Sequence, residues 1–328
     1  RKLCRCSCAT PKRLSRLSMK SDTPRIKVTS RSFSRHPILR RELQMAFTDT
    51  VLNTDGPETG LPDLEGFLED ANGVILGMEQ LDRPLLERLK CLKIVAKYGV
   101  GLNNLDQEAA AKLGIALGWT GGVNKRSVSE QTLCFMLGLC RNLFASGFEL
   151  KQGTWNKQGG VQLSGKCVGI IGCGHIGTDV VHLLQPLNCR ILICDVLDKS
   201  GLTDTYGVTQ VSQAELLAEA DIVSLHVPLT EHTFHMADES FMKRMKSSAY
   251  LINTSRGPVL KQQALKDALQ RNSIMGAALD VYESEPPDDI EFLSLPNLMV
   301  TPHIGGNANE AVLAMGRSAI QHLKDYFY

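Results

Sequence analysis

The 328-residue chain predicts an α/β fold of two doubly wound parallel-sheet domains, one inserted in the other. Three observations carry this. From about residue 25 onward, short apolar runs alternate with helix-length stretches, the pattern of a parallel sheet covered by helices on both faces. The stretch Lys166–Asp195, KCVGIIGCGHIGTDVVHLLQPLNCRILICD, reads as strand, glycine turn, helix, strand and acid in unbroken order. A full alternating unit closes before that stretch begins. The last helical segment has an apolar face able to pack back on that first unit, which would leave a cleft between the two.

Taken in order, Ile26–Thr29 is expected as a strand, Pro37–Ala46 as a helix, Thr50–Asn53 as a strand, Leu64–Asp70 as a helix and Gly73–Leu76 as a strand. Asp82–Lys90 is helical, with Asp82 as N-cap and Pro84 in the first turn. Leu92–Ala96 is a strand, Leu105–Leu113 a helix and Ile115–Leu117 a strand. Val123–Leu150 is expected as one long apolar helix, serving as connector and as a dimer surface. After the opening strand Cys167–Ile171 come the amphipathic helix Ile176–Leu187 and the strand Arg190–Cys194. Gln213–Ala220, Glu239–Met245 and Lys261–Gln270 then read as helices. Ile222–Leu225, Ala249–Asn253, Ile274–Asp280 and Leu298–Thr301 read as strands, and Ala308–Tyr328 as the closing helix. The expected division is a basic tail over 1–20, a first α/β domain over 21–120 completed by 302–328, and a second, carrying the glycine turn, over 121–301.

An apolar share of 43%, a charged share of 22% and a net charge of +1 are ordinary for a globular protein and point to no nucleic-acid or membrane partner. No run is apolar for long enough to cross a bilayer as a helix. Most of the ten cysteines are scattered through strands and helices, as thiols in a reducing compartment would be, so a cytoplasmic location is expected. Cys4, Cys6 and Cys8 lack a second ligand group nearby, and no metal site is expected. The first eighteen residues hold six basic residues and no acid. They fit a mitochondrial transit peptide, a disordered tail, or sequence ahead of a start at Met19, and the last two readings are preferred.

Each part of the glycine turn has a physical task. Gly172 makes the turn, Gly174 lets backbone approach a pyrophosphate, and Gly177 allows helix and strand to pack closely. The helix N-terminus then presents free N–H groups and the positive end of its dipole. Asp195 can accept hydrogen bonds from ribose hydroxyls and would repel a 2′-phosphate, and no arginine follows it, so NAD is expected over NADP.

Three later strand ends carry polar residues where α/β sheets bind ligands: Asn253–Gly257, Asp280–Pro287 and Thr301–Gly306. Within them Arg256, Glu285 and His303 make a set suited to reducing a keto acid. A guanidinium clamps a carboxylate. A histidine hands a proton to the carbonyl oxygen, and a carboxylate on that histidine fixes its tautomer and keeps it charged.

At these residues the chain resembles the D-isomer-specific 2-hydroxyacid dehydrogenases, with a phosphoglycerate dehydrogenase-like flavour. The matching segments are KYGVGLNNLD (Lys97–Asp106), TGGVNKRSVSEQT (Thr120–Thr132), VGIIGCGHIG (Val168–Gly177), HVPLT (His226–Thr230), INTSRG (Ile252–Gly257), ALDVYESEP (Ala278–Pro286) and TPHIGG (Thr301–Gly306). They cover nearly everything from residue 25 to the end. The resemblance implies a Rossmann NAD-binding domain inserted in a flavodoxin-like substrate domain, and a homodimer. It makes Arg256, Glu285 and His303 catalytic, Arg256 also binding substrate. It assigns Gly172, Gly174, His175, Ile176, Gly177, Asp195, Val227, Pro228, Thr233, Thr254, Ser255, Asp280 and Gly305 to the cofactor. Lys97, Tyr98, Gly99, Val100, Gly101 and Thr120 fall to the substrate. Asn103 stands where many members have aspartate, and Lys97 where phosphoglycerate dehydrogenases often carry arginine. The implied activity is NAD-dependent hydride transfer between nicotinamide and a small D-2-hydroxy acid or 2-keto acid. A hydroxypyruvate or glyoxylate reductase, or a non-enzymatic NAD-sensing corepressor-like protein, are the alternatives.

Overall fold

The computed structural model describes residues 23–55 and 61–328. The basic tail over 1–20, with Cys4, Cys6 and Cys8, lies outside the described residues. Two sheets, both wholly parallel, organise the rest. The first has five strands, β1 (Ile26–Val28), β2 (Thr50–Leu52), β3 (Gly73–Leu76), β4 (Ile94–Lys97) and β5 (Ala116–Gly118), in the order β2-β1-β3-β4-β5. The second has seven, β6 (Cys167–Ile171), β7 (Arg190–Cys194), β8 (Thr209–Gln210), β9 (Ile222–Leu225), β10 (Tyr250–Asn253), β11 (Gly276–Leu279) and β12 (Leu298–Val300). Their order is β12-β11-β10-β9-β6-β7-β8. The α/β class with parallel sheets only is as the alternating pattern requires.

The inner strands are mostly apolar because helices cover both faces, and β3, β6, β9 and β11 have no residue exposed. Each sheet therefore has a core on either side. One core of the five-stranded sheet is completed from the far end of the chain: Ala319, Ile320 and Leu323 of the helix Asn309–Phe327 pack with Ile26, Val28 and Ile75. Helix starts follow capping chemistry. Asp82 accepts from the N–H of Leu85, Asp106 from Ala109, Ser212 from Glu215 and Asp238 from Phe241.

The expected single helix over Val123–Leu150 is two helices, Lys125–Cys140 and Leu143–Lys151, bent by 65° at the break. The break sits at Asn142, which adopts the left-handed conformation at φ 52, and asparagine tolerates that region better than most residues. No single helix among the described residues is long and apolar enough to cross a membrane. The helix expected over Ile176–Leu187 starts one residue earlier and ends in a 3-10 turn, running His175–Leu184 and then Gln185–Leu187. The helices Arg31–Arg35, Ser200–Tyr206 and Ile290–Leu293 and the strand β8 were not anticipated. Each is short, and too few turns or alternations are present for a period to register.

Candidate active site

The seven-stranded sheet reverses its strand order between β6 and β9, and the glycine turn sits at that reversal. Gly172 has φ 92, and a Cβ there would lie 2.8 Å from the His226 carbonyl. A Cβ on Gly177 would come 2.1 Å from the Gly172 oxygen, so both must be glycine. A Cβ on Gly174 would meet nothing within 4 Å, which leaves a cradle at the N-terminus of the helix His175–Leu184 for a phosphate group. Asp195, at the end of β7, accepts from Cys173 N at 2.7 Å and Leu197 N at 2.9 Å, with Lys199 Nζ 3.6 Å away. The acid thus braces the glycine turn from behind, which the sequence pattern did not reveal.

Val227 and Pro228 follow β9, where Val227 would meet a Gly172 side chain at 2.9 Å, and Thr233 Oγ1 donates to the Pro228 carbonyl at 2.6 Å. Thr254 and Ser255 follow β10 and are buried. Ile176 packs into one core and Gly305 is buried beside Asp280. All these residues lie past the carboxyl ends of strands in one sheet.

Arg256, Glu285 and His303 come from the loops after β10, β11 and β12. Asn253 shapes the first loop: its Oδ1 accepts from Ser255 N and Oγ at 3.0 and 2.8 Å, and its Nδ2 donates to the Arg256 carbonyl at 3.0 Å. Arg256 donates through Nη1 to the Ser255 carbonyl at 2.7 Å. Burial lowers the guanidinium pKa, and Glu285 partly restores it. The His303 ring contacts Glu285 through Nδ1 at 2.7 Å. That bond raises the imidazole above its ordinary 6.5, against the opposing effect of burial. Burial alone would raise Glu285, but the His303 bond and charge outweigh it, and the carboxyl lies below its ordinary range. Glu285 Oε1 also accepts from Tyr282 N at 3.1 Å, which fixes its rotamer.

His303 sits in the left-handed region at φ 52, a conformation that only surrounding structure can hold. Asp280 supplies that support. Its carboxylate, 1% exposed, accepts from Thr301 Oγ1 (2.6 Å), Gln131 Nε2 (2.9 Å), Ile304 N (2.8 Å) and Gly305 N (2.8 Å). The Thr301–Gly305 loop hangs from Asp280, and Gln131 ties both to the helix Lys125–Cys140. Ser127 of the same helix donates to the Gly305 carbonyl at 2.5 Å, and Thr132 meets Thr254 at 3.0 Å. These supporting residues were visible in the SVSEQT segment, but nothing local assigned them partners more than 100 positions away.

Across the cleft, the loop after β4 brings Tyr98–Gly101 to Arg256. A Cβ on Gly101 would stand 2.6 Å from Arg256 Nη2. Gly99 has φ 137. The main-chain N–H groups of Gly99, Val100 and Gly101 donate to nothing among the described residues, which makes a cluster of donors for an anion. Tyr98 packs edge-on to Phe33, and burial raises its phenol pKa. Lys97 is buried, not solvated. Its Nζ donates to the Gly77 carbonyl at 2.5 Å and to Asn104 Oδ1 at 2.8 Å. Burial lowers its pKa to about 8, with Glu79 opposing and Arg256 adding to the fall. Thr120 lies apart, bonded to His322 Nε2 at 2.9 Å and Ser318 Oγ at 2.8 Å of the last helix. Among the described residues no cluster of three or more His, Cys, Asp or Glu side chains is arranged to hold a metal.

Residues 133–305 match the family model described as D-isomer specific 2-hydroxyacid dehydrogenase, NAD binding domain. A glyoxylate reductase of Thermococcus litoralis is 36% identical over 259 residues, covering 76% of this chain and 78% of that protein. A D-3-phosphoglycerate dehydrogenase of Methanocaldococcus jannaschii is 35% identical over 254 residues, 76% of this chain but only 48% of that longer protein. Among solved structures, a D-lactate dehydrogenase from Aquifex aeolicus complexed with NAD and lactic acid superposes with a TM-score of 0.78 at 26% identity. The alignment covers 92% of this chain and 94% of that one.

Proposed function

The chain belongs to the D-isomer-specific 2-hydroxyacid dehydrogenases, and from that premise we propose that it is an NAD-dependent oxidoreductase interconverting a small D-2-hydroxy acid and its 2-keto acid. The observation that carries this reading is the 2.7 Å His303–Glu285 contact in a cleft shared with Arg256 and the free N–H groups of Gly99–Gly101. In the reductive direction the keto acid's carboxylate sits between those N–H groups and the guanidinium of Arg256. NADH, when bound at the glycine turn, would supply the hydride for the keto carbon. His303, charged because Glu285 holds its Nδ1, passes the Nε2 proton to the carbonyl oxygen. Arg256 offsets charge developing on that oxygen. The products are the hydroxy acid and NAD, with neutral His303 recharged from solvent.

For the cofactor, Gly172, Gly174, His175, Ile176 and Gly177 would hold the pyrophosphate and Asp195 the adenosine ribose. Val227, Pro228 and Thr233 would wall the adenine side. Thr254, Ser255, Asp280 and Gly305 would line the nicotinamide. The open space at Gly174, with Cβ-intolerant glycines either side, fits such a group. Lys97 would add positive charge beneath the Tyr98–Gly101 cradle, and Thr120 would set the cleft edge through the last helix. The division follows the two sheets, the five-stranded one with the last helix forming the substrate domain and the seven-stranded one the cofactor domain. The exposed apolar side chains Leu143, Phe144, Phe148 and Leu150 would cover one another in a homodimer.

The relatives include enzymes named for glyoxylate and for 3-phosphoglycerate, so the test is NADH oxidation across glyoxylate, hydroxypyruvate, its 3-phosphate and pyruvate. Turnover of at least one, lost in Arg256→Ala, is the expected result. Tight NADH binding without turnover of any keto acid would replace an enzyme with an NAD sensor.

A further inference from the structure

Trp119 occupies the point where the chain leaves β5 and crosses toward the seven-stranded sheet. Its indole Nε1–H donates to the Val100 carbonyl at 3.1 Å. In a planar trans peptide the carbonyl of Val100 and the N–H of Gly101 point in opposite directions. Holding the carbonyl against the indole therefore aims the Gly101 N–H away from it, and that N–H has no partner among the described residues. Gly101 is also the residue whose Cβ would collide with Arg256.

The other side of the indole faces the crossing. A Cβ on Gly121 would lie 2.9 Å from Trp119 Cη2 and 3.1 Å from His175 Nε2. On Gly122, at φ 70, a Cβ would come within 2.5–2.8 Å of the His175 side chain. The two glycines leave room for an indole and an imidazole to close over the crossing. His175 is the first residue of the helix whose N-terminus faces the pyrophosphate cradle. A continuous packed path thus runs from His175 through Gly121 and Trp119 to Val100, Gly101 and Arg256.

We propose that Trp119 is a positioning residue that couples seating of the dinucleotide at His175 to the aim of the Gly101 N–H in the substrate carboxylate cradle. The proposal rests on the function proposed above. Cofactor binding that moves His175 shifts the indole, and the indole carries the Val100–Gly101 peptide with it. Keto-acid affinity then depends on the Trp119 N–H, while the chemistry at His303 does not.

The chain has two tryptophans, and Trp155 is 77% exposed on the loop before β6, so Trp155→Phe leaves Trp119 as the sole indole reporter. In that background, adding NAD should shift Trp119 emission, and adding oxalate to the NAD complex should shift it again. Trp119→Phe keeps a ring but loses the donor. It should raise the KM for the keto acid about fivefold, the worth of one ordinary hydrogen bond, with kcat and the calorimetric NADH affinity within about twofold. An emission spectrum indifferent to NAD while calorimetry records its binding would overturn the coupling and leave the proposed function standing. An unchanged KM in Trp119→Phe would do the same. Absence of NADH binding in the Trp155→Phe parent would overturn both.

Discussion

Each of the two sheets reverses its strand order once, between β1 and β3 in the first and between β6 and β9 in the second, and such reversals are where α/β sheets open a crevice. The two crevices are built in opposite ways. At β6/β9 the chain turns on glycines, and the space beside Gly174 is open. At β1/β3 the crevice is filled by the protein itself. Gly77 lies against Ser30, Lys97 and Asn104 both bond the Gly77 carbonyl, and Glu79 is 5% exposed with its Oε2 unpartnered among the described residues. Shared topology therefore does not imply a shared ligand. What separates the two crevices is whether the protein's own side chains already occupy the space.

The contrast extends to chemistry, since the reactive side chains all hang from the seven-stranded sheet while the five-stranded sheet offers mainly backbone. The largest effect should come from His303→Ala, which is expected to lower kcat about a thousandfold with NADH affinity unchanged, measured by steady-state kinetics and calorimetry. A retained kcat would move the proton donor elsewhere in the cleft.

Glu285→Gln should be next, with kcat down about 10- to 100-fold and a displaced pH profile. His303 is raised by Glu285, so reductive activity persists above pH 6.5 and falls as pH rises through the raised value. Without the carboxylate, that fall should move to lower pH. The pair also contributes to stability, its two halves being lost in opposite directions of pH. The His303 part is complete below 6.5 and lost as pH rises through its raised pKa. The Glu285 part is present above 4.5 and lost as pH falls through its lowered one. Thermal melts of wild type and Glu285→Gln across that window should converge at both ends.

Lys97→Met probes the filled crevice. Removing a buried ammonium that bonds the Gly77 carbonyl and Asn104 should cost about 1–3 kcal/mol of stability in urea unfolding, with kcat reduced less than tenfold. A collapse of keto-acid affinity with stability intact would instead make that crevice a substrate subsite. The smallest effect should come from Gly174→Ala, which meets no atom within 4 Å and should leave the melting temperature unchanged while weakening NADH several-fold. Its neighbour Gly177→Ala should destabilise by about 1–3 kcal/mol, because the added carbon meets the Gly172 oxygen.

Much of this arrangement was readable from local pattern. A strand such as Cys167–Ile171, a capped helix start such as Asp82 and a glycine turn are each specified within a few residues by side-chain period, capping chemistry or conformational freedom. The break at Asn142 was not, because the apolar residues continue across it and only the backbone conformation of one residue ends the first helix. Residue types also pointed to Arg256, Glu285 and His303, since few side chains suit that chemistry.

By itself, then, the sequence determined the α/β class, the dinucleotide turn and a shortlist of reactive residues. These depend on interactions between near neighbours in the chain. Only the tertiary structure decided which residues meet. It sets His303 on Glu285 across 18 positions and Gln131 on Asp280 across 149. It also ties Lys97 to Gly77 and links Trp119 to both Val100 and the crossing beside His175. Contacts of that kind arise from the packing of whole sheets and helices, so no period or spacing in the chain encodes them locally.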